Sequence, residues 1–237
     1  MTKYKNIQQN IISLARYNMR IVFGGKFVYF ILAALGFFLL LGTINALDDS
    51  YMGMHDVYGL LIFPAILLVF YPSAFGIQND ADQRTLEIIF GIPDYRYKVW
   101  LVRLLMVLII VYALLFPFAA IAHYALVSIP IFEMVSQLMI LVLFVSSLGF
   151  GVSTITKNGN ATAVIMVVLG LVFLILSDEL DYSKWNIFLN PFRIPNNINE
   201  IVWHDTIRQN RIILIISSIV FLLLGLLNLQ NREKFLR

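Results

Sequence analysis

QNDADQRTLEIIFGIPDYRYKVWLVR, residues 78–103, is the polar internal stretch on which the fold turns. It interrupts two long apolar runs, one closing near residue 77 and the next opening near residue 99. Asn79 or Asp80 can cap a helix start, because a short side-chain oxygen accepts from the free N–H groups of a first turn. Asp80 and Asp82 place negative charge where a helix dipole favours it. Gly91 and then Pro93 supply stop chemistry. The spacing therefore predicts a short helix over 80–90, about three turns long. Leu86, Ile89 and Phe90 share one face of it. Asp80, Arg84 and Glu87 share the other at i, i+4 and i+7, an acid–base–acid row that suits a helix lying flat at a wet surface. Such a helix is too short to cross a bilayer and too amphipathic for a plain loop.

The same residues carry a second pattern. Asp82 stands three before Thr85, which opens Thr85-Leu86-Glu87; Pro93 follows Glu87 by six, Arg96 follows Pro93 by three, and Arg103 comes seven later. This spacing resembles the signature of ABC-2 type permeases. The hydropathy layout described below extends the resemblance to nearly the whole chain. Arg84 departs from the pattern, standing where that family usually has Gly. The resemblance implies that Asp80, Asp82, Arg84, Thr85, Leu86, Glu87, Pro93, Arg96 and Arg103 belong to an element that couples the chain to an ATPase. The plainer reading is an ordinary charged loop between two helices.

Composition agrees with a membrane setting. The 237-residue chain is 60% hydrophobic and 13% charged, with mean hydropathy +0.83; soluble domains carry about 25% charged residues. Aromatic residues, 14% of the total, suit interfacial belts. The absence of Cys excludes disulfides, thiolate metal sites and Cys nucleophiles. A net charge of +3 gives no support to nucleic-acid binding. Residues 1–26 are polar and basic, and the run after them ends without a small-residue cleavage pattern, so no cleavable signal is expected.

Six runs are long enough to span a bilayer at about 20 residues per helix. They are 27–47, 57–77, 99–125, 131–156, 161–177 and 212–228. Pro64, Pro72 and Pro117 fall inside spans two and three and should kink them, as packing features. Before span one, residues 6–25 alternate apolar with basic or polar groups, as an N-terminal interfacial helix would, with Gly24-Gly25-Lys26 as the bend. No Gly-x-x-x-x-Gly-Lys-Ser/Thr occurs in the chain, so the polypeptide is not itself a P-loop ATPase.

Basic residues set the orientation. Thirteen of the seventeen Lys and Arg lie in the termini and the connections after spans two and four. Both termini and residues 78–100 are therefore expected in the cytoplasm. The external connection 178–211 is too long to be idle. It is expected to form short external helices, with Trp185, Phe188, Phe192 and Trp203 at the membrane boundary. Leu189-Asn190-Pro191 within it resembles what is seen in the six-span subfamily.

No Asp, Glu, Lys or Arg lies centrally in any of the six runs. An ion-coupled carrier retains such groups for its mechanism; a transporter driven by a separate ATPase needs none. Met52, Met54 and His55 could together bind Cu(I), and one subset of six-span ABC-2 permeases serves copper-enzyme maturation. Met is also a common interfacial residue, and the three His residues (His55, His123, His204) need no metal to account for them, so no metal site is assigned. Ser146, Ser147, Gly149, Gly151, Ser153, Thr154 and Thr156 crowd span four. Close helix packing is the first reading; lining a polar pathway is the alternative.

The resulting expectation is an all-α, six-span integral membrane protein, with 1–237 forming a single ABC-2 type transmembrane domain without catalytic residues. The resemblance implies a permease homodimer in the cell (inner) membrane bilayer, with a separate cytoplasmic ABC ATPase subunit holding ATP and Mg. The competing class is a stand-alone membrane protein: an anchor, an assembly factor or a membrane enzyme with no ATPase partner.

Overall fold

A computed structural model describes residues 27–47, 52–82, 86–91, 94–195 and 198–230. The interfacial helix expected over 6–25 lies outside the described residues. Six helices are long and apolar enough to cross a membrane. They are Phe27–Leu47, Met54–Asp82, Val102–Ala125, Ile131–Thr156, Gly159–Glu179 and Glu200–Asn228, called spans one to six below. A short helix, Leu86–Gly91, and a π-helical turn, Arg96–Leu101, lie between spans two and three. The described residues contain no strand. This meets the physical requirement that a spanning segment satisfy its own backbone hydrogen bonds.

Spans two and four form the middle of the bundle. In each, 67% of the most apolar window is buried inside the protein, against 17% in spans one and five. Span four packs against spans two, three, five and six, and span two against one, three, four and five. Small residues allow these approaches. A Cβ on Gly149 would lie 2.9 Å from the Ser73 Cβ, and one on Gly151 would lie 3.2 Å from the Phe221 carbonyl oxygen. Ser146, Ser147, Ser153 and Thr154 are buried. The small-residue face of span four is therefore a packing face.

Helices and apolar runs do not share boundaries. Span two continues past its apolar run to Asp82, so the separate helix expected over 80–90 is instead the last turn of span two followed by Leu86–Gly91. Backbone hydrogen bonding does not stop where hydropathy falls. Span six opens at Glu200, twelve residues before its apolar run, with the Asn199 side chain accepting from the Ile201 N–H as its cap. The connection between spans five and six is correspondingly shorter than the external segment expected over 178–211. Its described residues between Glu179 and Glu200 form turns rather than the expected short helices. Trp203, expected at the membrane boundary, is 1% exposed and packs with Leu189 and Ile207. Trp185 is exposed, and Phe188 and Phe192 pack half-buried against the main core.

Spans four and five meet in a tight connection. Lys157 takes the left-handed conformation at φ 59° that ends helices. Asn158 then caps span five, accepting from the N–H groups of Asn160 and Ala161.

Candidate functional site at the joint of spans two and three

Asp80 lies in the last turn of span two and is 1% exposed. It was expected on the wet face of a surface helix, with Arg84 and Glu87. It points into the bundle instead and forms an ion pair with Arg103, in the first turn of span three. The reason is geometric: because span two runs on to Asp82, position 80 faces the neighbouring helix rather than water. Asp82 is exposed at the helix end.

The π-turn adds one residue to a helical turn and so shifts the face that later side chains present. It leads into span three with Trp100 and Arg103 buried. The Arg103 guanidinium lies 4.9 Å from the centre of the Trp100 ring, a cation–π approach. Arg103 Nε and Trp100 Nε1 are buried donors without a hydrogen-bond partner. Both residues line a cavity of about 20 Å³ beside Pro72, Ser73, Phe150 and Ser153. That is room for a single water molecule, not for a substrate.

The short helix is held by its apolar face. Leu86, Ile89 and Phe90 are buried against Ile77, Trp100, Leu104, Phe150 and Leu226, the face that the sequence spacing indicates. Tyr95 packs edge-on against Phe90, with ring centres 5.0 Å apart, and its hydroxyl donates to the Leu229 carbonyl oxygen at the end of span six. That bond satisfies one of the carbonyls a helix end leaves open. Further ties lie at the same end of the bundle. The Gln78 side-chain oxygen accepts from the Gly159 N–H at the start of span five. The Asn228 amide donates to the Thr154 carbonyl oxygen, 2.6 Å, joining spans six and four. Arg96 is half-buried, with its guanidinium 5.5 Å from the Tyr97 ring centre. Arg84, Thr85 and Pro93 lie outside the described residues; Glu87 is placed by its backbone in the short helix. The structure therefore brings Asp80, Leu86 and Arg103 together in one buried joint and leaves Asp82 at its rim.

At the opposite end, Arg211 forms a hub that sequence reasoning missed, having assigned it to the external segment. It is 7% exposed in span six. It donates to Gln137 Oε1 (2.8 Å), Asn210 Oδ1 (3.2 Å), Tyr58 OH (3.3 Å) and the Leu189 carbonyl oxygen (3.2 Å). No carboxylate of the described residues pairs with it. Asn210 is buried beside it and donates to the Lys184 and Asn186 carbonyls. Asn190 donates to the His55 carbonyl, 2.8 Å, so Leu189-Asn190-Pro191 clasps the turns onto spans two and six. The polar pair Asn210-Arg211 immediately before an apolar run was the available signal.

Met52, Met54 and His55 lie near this end. His55 Nε2 is 3.2 Å from Asp56 Oδ1, and the described residues hold no group of three His, Cys, Asp or Glu able to grip a metal ion. The Ile129 N–H donates to His123 Nδ1, and His204 stands near Glu200.

None of the family models, curated proteins or solved structures compared with the chain matches it.

Proposed function

We propose that the chain is the permease subunit of an ATP-driven ABC-2 type exporter, moving a substrate across the cell membrane. A separate cytoplasmic ATPase subunit supplies the energy and holds ATP and Mg, and two copies of the permease form the pathway. The observation that carries the reading is the spacing from Asp82 through Thr85-Leu86-Glu87, Pro93 and Arg96 to Arg103, placed at the connection of spans two and three. The packing there gives a mechanical rationale. A force on the short helix reaches span three through Trp100 and Leu104, span six through Tyr95 and Leu229, and span two through Ile77 and the Asp80–Arg103 pair. Leu86 points inward, so its part in coupling is to anchor the helix. Glu87 and Arg84 are proposed as the contacts for the ATPase, on a side of the membrane proposed to be cytoplasmic.

The test is to purify the chain with its candidate ATPase and compare Glu87→Ala with the parent. An exposed helical ion pair contributes only about 0.3–0.5 kcal/mol, so thermal stability should hardly change. Half of a buried interfacial charge pair costs about 2–5 kcal/mol when truncated, so assembly or substrate-stimulated hydrolysis should fall. Normal assembly, coupling and transport in both Glu87→Ala and Arg84→Ala would refute the coupling role. Recovery of the chain from native membranes without any ATPase would favour the stand-alone reading instead.

A further inference from the structure

Two adjoining cavities lie on the span five side of the bundle, away from the Asp80 joint. The first, about 580 Å³, is polar, and Asn45, His55, Asp56, Asp178, Asp181 and Arg193 are among its walls. The second, about 370 Å³, has almost wholly apolar walls from spans one, two, four and five, including Phe30, Phe63, Phe144, Met166 and Gly170. Phe188 lines both. One side chain thus divides a polar chamber from an apolar one, the layout that an amphiphile fits.

Charge selects the headgroup. The polar chamber holds three carboxylates (Asp56, Asp178, Asp181) against one guanidinium (Arg193). With His55 neutral, two negative charges remain in excess. Asp181 is 3.4 Å from Arg193, and Asp56 is 3.2 Å from His55. Asp178 is exposed, and its side chain makes no hydrogen bond or ion pair with the described residues. The apolar chamber alone could not select a ligand in a bilayer, because lipid tails are as apolar as its walls. Selection therefore falls to the carboxylates.

We propose that the two cavities form one binding site for a membrane amphiphile with an amine headgroup. The ammonium sits among Asp56, Asp178 and Asp181, and the chain passes Phe188 into the apolar chamber. As a statement about cargo, this rests on the permease reading; as a binding site, it does not.

The probe is dodecylamine carrying a diazirine on its chain, with the matching dodecanol and dodecanoate, applied to the full chain in phosphatidylcholine nanodiscs. Photolabelled peptides are mapped by mass spectrometry. The amine probe should label spans two and five and the Phe188 turn, at concentrations about fivefold or more below those needed for the alcohol, the gain expected of a half-exposed ion pair. The carboxylate probe should be weaker still. Asp178→Asn combined with Asp181→Asn should bring amine and alcohol together. Gly170→Phe should remove labelling by both, and since a Cβ at Gly170 meets nothing within 4 Å, the fold has room for it. Equal labelling by amine and alcohol in the parent would overturn the proposal, as would no effect of Gly170→Phe. A second copy cross-linked over the apolar chamber, with no probe entering, would also overturn it. Assembly with the ATPase is scored on the same preparations, so the two readings fail separately. Release of the amine on adding ATP to the assembled complex marks cargo, and labelling unchanged by ATP marks a resident amine-headed lipid; either outcome upholds the site.

Discussion

Asp80 and Arg103 form a buried ion pair across the joint between spans two and three, twenty-three residues apart in the chain. Both side chains are buried, Asp80 at the end of span two and Arg103 at the start of span three. The pair fixes where the short helix between them leaves one span and enters the next.

Removing one member should expose the cost of leaving the other. Asp80→Asn leaves the Arg103 guanidinium buried beside a neutral amide. It should destabilise the protein by about 3–5 kcal/mol, whereas replacing both residues with apolar ones of similar volume should cost far less. Thermal melts of Asp80→Asn, Arg103→Leu and Asp80→Leu/Arg103→Leu form the cycle. Additive losses in the double variant would show that the pair is not coupled.

Leu86 and Tyr95 separate anchoring by burial from anchoring by a hydrogen bond. Leu86→Ala removes a buried side chain and should cost about 2–5 kcal/mol. Tyr95→Phe keeps the ring against Phe90 and loses the bond to the Leu229 carbonyl, worth about 0.5–1.5 kcal/mol. Denaturation of the two variants in the same detergent measures the difference. A Leu86→Ala variant as stable as the parent would mean that the short helix is not seated in the bundle.

Two glycines in neighbouring helices should respond in opposite directions. A side chain at Gly149 collides with Ser73, so Gly149→Val should cost about 1–3 kcal/mol from overpacking. Gly170 faces open space, and Gly170→Ala should be neutral or stabilise by up to about 1 kcal/mol through helix propensity. Paired thermal melts decide it.

Arg211 should hold the turns between spans five and six in place. Arg211→Leu leaves half-buried Gln137 and the buried Tyr58 hydroxyl and Leu189 carbonyl short of a donor, at about 1–3 kcal/mol for each buried group. Hydrogen exchange should then speed up through residues 186–192 while the Asp80 joint stays protected. Unchanged exchange there would mean the clasp does not depend on the guanidinium.

Orientation can be read directly because the chain has no Cys. Lys184 and Tyr97 are exposed at opposite ends of the bundle. A membrane-impermeant thiol reagent should reach Lys184→Cys from outside and Tyr97→Cys only from the cytoplasm. The reverse pattern would invert the proposed topology.

Much of the architecture was legible before any coordinates. Six apolar runs of spanning length, separated by polar breaks, dictate six helices, since a bilayer leaves the backbone few other ways to satisfy its hydrogen bonds. The spacing of Leu86, Ile89 and Phe90 identified the buried face of the short helix, because a 3.6-residue period is a local property. The small residues of span four announced a close helix contact for a similar reason: their size is visible in the sequence.

Tertiary structure alone decided what the charged residues do. Asp80 at the end of an apolar run reads the same whether water or Arg103 faces it, and the choice depends on how far span two continues and which helix lies alongside. Arg211 reads as a solvated flank until Tyr58 and Gln137, more than seventy residues away in the chain, close around it. Trp203 likewise became core only because Leu189 folds back onto it. Hydropathy and periodicity are sums over neighbours in sequence, whereas the burial of a polar group depends on partners brought together by packing.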